Sequence, residues 1–262
     1  MFTAARVGTV RRVVEPAELL DRFEPIDLET LDAQAALQKR VDNKYLVPAD
    51  ALDSLFERLR PGYRALEIDG RRQALYESVY FDTGSLRCFD DHVAGRTPRA
   101  KVRTRLYVET GVCVFEAKVK LDDDETVKAS LDYDAADRDR VTPEAREFLE
   151  QQLARRRLEL PLDALAATLT TRFRRATLGA RDSPERVTFD DELALTLSTG
   201  ASARLRSDHL LVETKSETGE SEADRVLREA GYEPTSLSKY RAGIGLLVEG
   251  ASPPAVQGWF SG

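Results

Sequence analysis

Histidine, cysteine, methionine and tryptophan are nearly missing from this chain of 262 residues, which holds two, two, one and one of them. Cys88 and Cys113 lack metal-type spacing, and Cys113 lies in a strand pattern, so neither a zinc cage nor a disulfide framework is expected. They read as reduced thiols of a cytoplasmic protein. No apolar run approaches the ~18 residues of a membrane span, and the opening MFTAARVGTVRR lacks the apolar middle of a signal peptide. Direct membrane insertion is therefore not expected. The net charge is −7, and no aromatic platform interleaves with the basic residues, so nucleic acid is not an expected partner. No His/Ser/Asp constellation is present either, but chemistry that rests on electrostatic positioning does not need one. What remains is 42% hydrophobic and 32% charged, the composition of a soluble globular chain able to bury a real core.

Against that background the segment 101–120, KVRTRLYVETGVCVFEAKVK, stands out. At a strand period of two, Lys101, Arg103 and Arg105 share one face, with Val102, Thr104, Leu106 and Val108 on the other. After a turn at Thr110-Gly111, Glu116, Lys118 and Lys120 lie opposite Phe115, Ala117 and Val119. The same alternation groups Arg40, Asp42 and Lys44, then Thr126, Lys128 and Ser130, then Arg186, Thr188 and Asp190, then Leu211, Glu213 and Lys215. An antiparallel sheet with one solvated face accounts for any one of these strands. It accounts less well for the set, because like charges on neighbouring strands destabilise the pair. The alternative is a sheet closed on itself, its cationic faces turned inward around a polyanion. Arg forks and Lys ammoniums grip phosphate oxygens. Glu116, Glu213 and Asp190 would then be hard oxygen ligands for Mg²⁺ or Mn²⁺ bridging those phosphates.

Along the chain, residues 1–37 read as a leader with helical pieces at EPAELLDRF and ETLDAQAALQ, its first dozen residues loosely held. Residues 38–250 form the main domain, and 251–262 a frayed tail in which Trp259-Phe260 is the docking candidate. YRALEI, the turn Asp69-Gly70 and RQALYESVYFDT predict a hairpin. TPEAREFLEQQLARRRLELPLDALAATL predicts helix, capped by Thr142 and broken at Pro161. Asp122-Asp123-Asp124 reads as a solvated turn, His209 as structural or surface, and Tyr45, Tyr76, Tyr80 and Tyr107 as packing residues. Short strands and amphipathic helices, too irregularly placed for parallel βαβ units, predict an α+β fold dominated by antiparallel sheet.

Seven blocks, in order RVDNKYLVP, YESVYFDT, DHVAGRTPRAKVRTRLYVETGVCVFEAKVK, ETVKAS, ERVTFD, LLVETK and SLSKYRAGI, resemble the VTC-type polyphosphate polymerase domain over about residues 38–248. That family belongs to the triphosphate tunnel metalloenzymes, related to CYTH-type triphosphatases and adenylate cyclases. The resemblance implies an eight-stranded antiparallel β tunnel barrel with helices packed outside. In it the γ-phosphate of ATP passes to a growing inorganic polyphosphate chain with Mn²⁺ or Mg²⁺. Carried over by block, Lys44, Arg103, Arg105 and Arg186 form the reacting centre. Arg40, Lys101, Lys118, Lys128, Arg175 (Arg172 or Arg174 if the register shifts), Lys215, Ser238 and Lys239 bind phosphate, with His92 at the tunnel mouth. Glu213 binds the metal, while Glu116 orients Lys118.

The chain departs from the family where Ser236 replaces a lysine ahead of the expected last strand. Its Arg40-Val41-Asp42-Asn43-Lys44 opening lacks the Glu-x-Glu-x-Lys of the triphosphatases and cyclases, which favours the polymerase branch. The membrane helices of the eukaryotic complex are not seen, so membrane coupling would need a separate partner. A tunnel phosphohydrolase and a non-catalytic polyphosphate-binding module stay open as alternatives.

Overall fold

Alternation between cationic and apolar positions decides which way each strand of this protein faces. A computed structural model describes residues 16–34, 41–121 and 125–262. In chain order the strands are β1 (Pro25–Ile26), β2 (Val41–Pro48), β3 (Tyr63–Leu66), β4 (Gln73–Asp82), β5 (Arg99–Tyr107), β6 (Val112–Lys120), β7 (Thr126–Tyr133), β8 (Ala166–Ala180), β9 (Arg186–Leu197), β10 (Ser202–Leu205), β11 (His209–Ser216) and β12 (Phe260–Ser261). The helices are α1 (Pro16–Leu20), α2 (Leu28–Gln34), α3 (Leu52–Leu59), α4 (Arg87–Val93), α5 (Pro143–Ala154), α6 (Glu222–Glu229) and α7 (Lys239–Leu247).

All twelve strands join one sheet. Its spine runs β7-β6-β5-β4-β8-β9-β11-β2, antiparallel at every step. The α+β class and the antiparallel spine match the sequence reading. The expected closure differs: among the described residues no ladder joins β7 to β2. β7 leaves Thr126, Lys128, Ser130 and Asp132 exposed on one face, a polar edge of the kind that resists further strand pairing. The sheet nevertheless curls, since the short segment before α7 meets both β2 and β5: the Thr235 amide donates to Lys44 O at 2.7 Å, and Ser238 Oγ accepts from Lys101 Nζ at 3.1 Å.

The expected β3–β4 hairpin does not form. Asp69 and Gly70 make the left-handed turn, with φ of 50° and 73°, but pairing stops at the Ile68–Arg71 bridge. Both sides of β4 are taken by β5 and β8, and β3 pairs instead with the far end of β8, Tyr63 opposite Ala180.

Apolar faces turn outward under the helices. Leu52, Leu55 and Phe56 of α3 and Val226 and Leu227 of α6 bury Tyr45, Val47, Leu178, Val187 and Phe189. Ala145 and Leu149 of α5 cover Val79, Phe81, Val102, Phe115 and Ala117. The N-cap of α5 is Thr142, whose Oγ1 accepts the amide of Ala145 at 3.3 Å. Fully burying each large apolar side chain contributes about 1.5–3 kcal/mol, which makes these two faces the main stabilising surfaces.

The segment after Lys239 is a helix, where a strand was expected. Ser238 caps α7, and Tyr240, Ala242 and Ile244 pack on the concave face of the sheet against Leu169, Leu195, Leu197 and Leu211. Gly243 permits that approach, because a Cβ there would come within 2.5 Å of the Leu169 side chain. The C-terminal tail docks. Phe260 pairs with Leu205, and the Trp259 ring meets His209 edge-on at 4.4 Å, giving His209 a packing role. Among the described residues, no helix is long and apolar enough to cross a membrane.

Candidate functional site

Strand β5 presents Arg99, Lys101, Arg103 and Arg105 to the concave side while Ala100, Val102 and Thr104 are buried on the other. Its neighbours continue the pattern. Lys101 lies across from Lys118, and Lys118 across from Lys128, three ammoniums abreast on adjacent strands. On the far side of the curl, Lys44, Glu213 and Thr188 are aligned across β2, β11 and β9, beside the Lys215–Arg186 pair.

Two buried carboxylates organise these cations. Glu116 accepts Arg103 Nε on Oε2 at 2.6 Å and holds Lys128 on Oε1. Burial would raise the Glu116 carboxyl, but Arg103, Arg105 and Lys128 outweigh it and bring it down to about 2. Glu116 thus turns to Arg103 and Lys128, where the sequence reading had it orienting Lys118. Asp190, with 0% exposure, accepts Arg175 Nε and Nη2 at 2.6 and 2.7 Å and Lys239 Nζ at 2.5 Å. Three charge-assisted donors occupy its oxygens, so it anchors cations rather than offering itself to a metal.

Aromatic rings form the floor. Tyr76 lies under both Arg105 and Arg175, at 5.4 and 5.3 Å, and Lys239 Nζ sits 4.3 Å from the Phe173 ring. Tyr80 accepts a hydrogen bond from Arg103 Nη1 at 3.0 Å. Burial would raise this phenol, yet Arg103 and Arg105 reverse the direction and lower it. Arg105 differs from its neighbours. Among the described residues no carboxylate lies within ion-pair reach of it, and its Nε meets Ser78 Oγ at 3.4 Å. Burial and Arg103 lower its pKa, the mark of an under-compensated cation.

At the N-terminus of α7, Lys101 Nζ donates to Ser238 Oγ at 3.1 Å. Burial and then Lys118, Arg99, Lys44 and Arg103 push Lys101 down to about 7. His92 of α4 lies beside Lys101, Arg99 and Arg241. Burial, then Lys101, Arg99, Arg241 and Lys120, push it down to about 3, which keeps the imidazole neutral at ordinary pH.

Glu213 is the carboxylate with spare capacity. Its Oε1 lies 3.9 Å from Lys44 Nζ and 3.7 Å from Lys215 Nζ, and its Oε2 3.8 Å from Arg175 Nη2. All three distances exceed a hydrogen bond. Burial would raise this group, but Lys215, Lys44, Arg175 and Lys239 hold it well below the usual carboxylate range. Among the described residues no cluster of three or more His, Cys, Asp or Glu is assembled for a metal. A single ionised carboxylate fits Mg²⁺ or Mn²⁺ when phosphate oxygens complete the shell, as hard cations require. Glu213 is the residue that would hold it.

The structure therefore gathers Lys44, Lys101, Arg103, Arg105, Arg175, Lys215, Lys239 and Ser238 with Glu213, and lines Lys118 and Lys128 along the same face. Arg186 shares the concave face, but its Nη2 donates to Leu31 O at 2.7 Å and Asp32 Oδ1 at 2.9 Å, so α2 holds it. Arg40 and the Asp122-Asp123-Asp124 turn lie outside the described residues. The sequence reading missed Arg99 and Arg241 near His92, and the clamps made by Glu116 and Asp190. Arg99 was available from the period of two ahead of Lys101. Arg241 was hidden because it depends on α7 being a helix.

No curated protein matches the chain significantly. Among solved structures, a putative adenylate cyclase from Bacillus halodurans shares 14% identity and a TM-score of 0.50 over 77% of this chain and 94% of its own. That likeness is one of fold. A putative adenylyl cyclase from Hippeastrum, described as having a dominant triphosphatase activity, gives 14% identity and a TM-score of 0.46 over 82% of this chain and 99% of its own. Residues 39–248, which carry the whole spine from β2 to β11 together with α7, match the VTC domain, and the chain belongs to the VTC domain family.

Proposed function

We propose that this protein is a metal-dependent polyphosphate polymerase, moving the γ-phosphate of ATP onto a growing inorganic polyphosphate chain along its concave cationic face. The observation that carries the reading is the convergence of Arg103, Arg105, Arg175 and Lys239, each half-buried and each held by a neighbour that fixes its direction. Phosphoryl transfer asks a protein mainly for positioning and for neutralisation of the transferring oxygens. In this reading Arg105, the least compensated of the four, meets the transferring phosphoryl group. Arg103 and Arg175, oriented by Glu116 and Asp190, hold the oxygens on either side. Lys101 and Ser238 position the phosphate next along, with Lys118, Lys128 and His92 lining the way out. Mg²⁺ or Mn²⁺ on Glu213 would supply a further positive charge shared with the phosphate oxygens. The aromatic floor of Tyr76, Tyr80 and Phe173 limits water beneath the cations.

The test is incubation of the pure protein with ATP and Mn²⁺. Polymerase activity yields ADP and acid-insoluble polyphosphate in step. ADP with free phosphate instead would make it a hydrolase. Binding of polyphosphate without turnover would make it a binding module, the reading that Ser236 in place of a lysine favours.

A further inference from the structure

The cationic face has two ends, and α2 covers one of them. Along β8 the concave side passes from Leu169 and Phe173, against α7, through Arg175 to Gly179. Gly179 lies opposite Arg186, and Arg186 opposite Lys215. At that end Leu31 of α2, 1% exposed, rests on Gly179 so closely that a Cβ there would fall 2.4 Å from Leu31 Cδ1. Asp32 and the Leu31 carbonyl take the Arg186 guanidinium. Arg64, next to Gly179 across β3 and β8, reaches Gln34 Oε1 at 3.4 Å. Asp27 caps the helix, accepting the Thr30 amide at 2.7 Å.

This seat is polar and exchangeable apart from Leu31. Asp32 leaves 63% of its side chain exposed, and an ion pair so open to solvent is weak. A phosphate group offers Arg186 more charge and a better fork partner than one carboxylate. Asp32 thus occupies an anion position that a phosphate can take from it.

Building on the phosphate-transfer reading above, we propose that α2 is a stopper that sets how long a phosphate chain the site accepts. Seated, it confines short oligophosphates to the Arg103–Arg175–Lys239 centre. When a chain reaches Arg186 and Lys215, its terminal phosphate displaces Asp32, α2 lifts from Gly179, and the concave face is open along its length. Leu31 and Asp32 are then specificity-determining residues for chain length.

The experiment compares binding of tripolyphosphate and of polyphosphate about a hundred units long, at fixed ionic strength, by the wild type and two variants. Asp32→Asn keeps the volume of the side chain and removes its charge. Gly179→Ala sets its added Cβ against Leu31 alone and leaves every charged group in place. Each is expected to tighten long-chain binding about tenfold while moving tripolyphosphate by no more than about twofold. Hydrogen exchange in residues 28–34 of the wild type should rise with the long chain and stay unchanged with tripolyphosphate. Equal shifts for both ligands, or α2 exchange that ignores the long chain, overturns the stopper while leaving the phosphate site intact. If the wild type binds neither ligand, the phosphate reading falls and the stopper with it.

Discussion

Arg175 lays its Nε and Nη2 against the two carboxylate oxygens of Asp190, at 2.6 and 2.7 Å, where Asp190 has no solvent exposure. Lys239 shares the same carboxylate, so one acid joins β8, β9 and the start of α7. Removing one partner of a buried ion pair typically costs about 3–5 kcal/mol, because the remaining charge is left uncompensated. Asp190→Ala is therefore expected to lower the melting temperature clearly. Tripolyphosphate should then stabilise the variant more than the wild type, since it supplies the missing negative charge. Equal ligand-induced shifts in the two proteins would contradict this.

Arg105→Ala tests the reacting centre from the other side. Arg105 sits under like charge from Arg103 and Arg175, so its removal relieves repulsion and leaves the fold intact. Loss of one oxygen-gripping donor lowers rates by about 10²–10³ in such sites. Turnover should fall by that order with an unchanged melting temperature, and wild-type turnover in the variant would take Arg105 out of the centre.

Lys101 gives a pH signature. Its folded pKa is about 7, against an ordinary 10.5, with burial as the largest cause. Between these values the unfolded chain holds a proton that the folded protein has released, so this residue's contribution to stability rises with pH across that window. Below about 7 the cost of the charged lysine is present in full. A bound phosphate reverses the shift and recharges Lys101, so binding near pH 8 takes up a proton and weakens as pH climbs. Calorimetry in two buffers of different ionisation enthalpy reads that proton. It should vanish in Lys101→Met, and its absence in the wild type would separate Lys101 from the ligand.

Glu213→Gln keeps the side chain's shape and removes its charge. With Lys44, Lys215 and Arg175 all 3.7–3.9 Å away, the loss leaves the site more cationic. Metal-dependent turnover should disappear, while metal-free binding of tripolyphosphate should hold or tighten. Full turnover in the variant would show that the metal is held elsewhere.

Much of this was legible in the sequence because a strand's period of two is exact. Lys101, Arg103 and Arg105 had to share a face, and so did Glu213 and Lys215. What the pattern could not carry was which partner each charge chooses. Glu116 and Lys118 are two residues apart on one strand, yet Glu116 turns across to Arg103 and Lys128. The β3–β4 turn was read correctly from Asp69-Gly70, but which strands pair is a competition settled by the whole sheet. SLSKYRAGI was set just ahead of a last strand on the family's pattern, not on its own residues. In the folded chain Gly243 is what lets α7 approach β8, a tertiary demand that local propensity does not contain. The hold of α2 on Arg186 was out of reach for the same reason, since Asp32 and Arg186 are 154 residues apart.

The most direct test of the account is a crystal structure of the protein soaked with tripolyphosphate. The account predicts a phosphate within hydrogen-bond distance of Arg105 and of at least two of Arg103, Arg175 and Lys239, with a neighbouring phosphate near Lys101 and Ser238. Tripolyphosphate bound on the outer helical face, or a concave face left empty at saturating ligand, would contradict it.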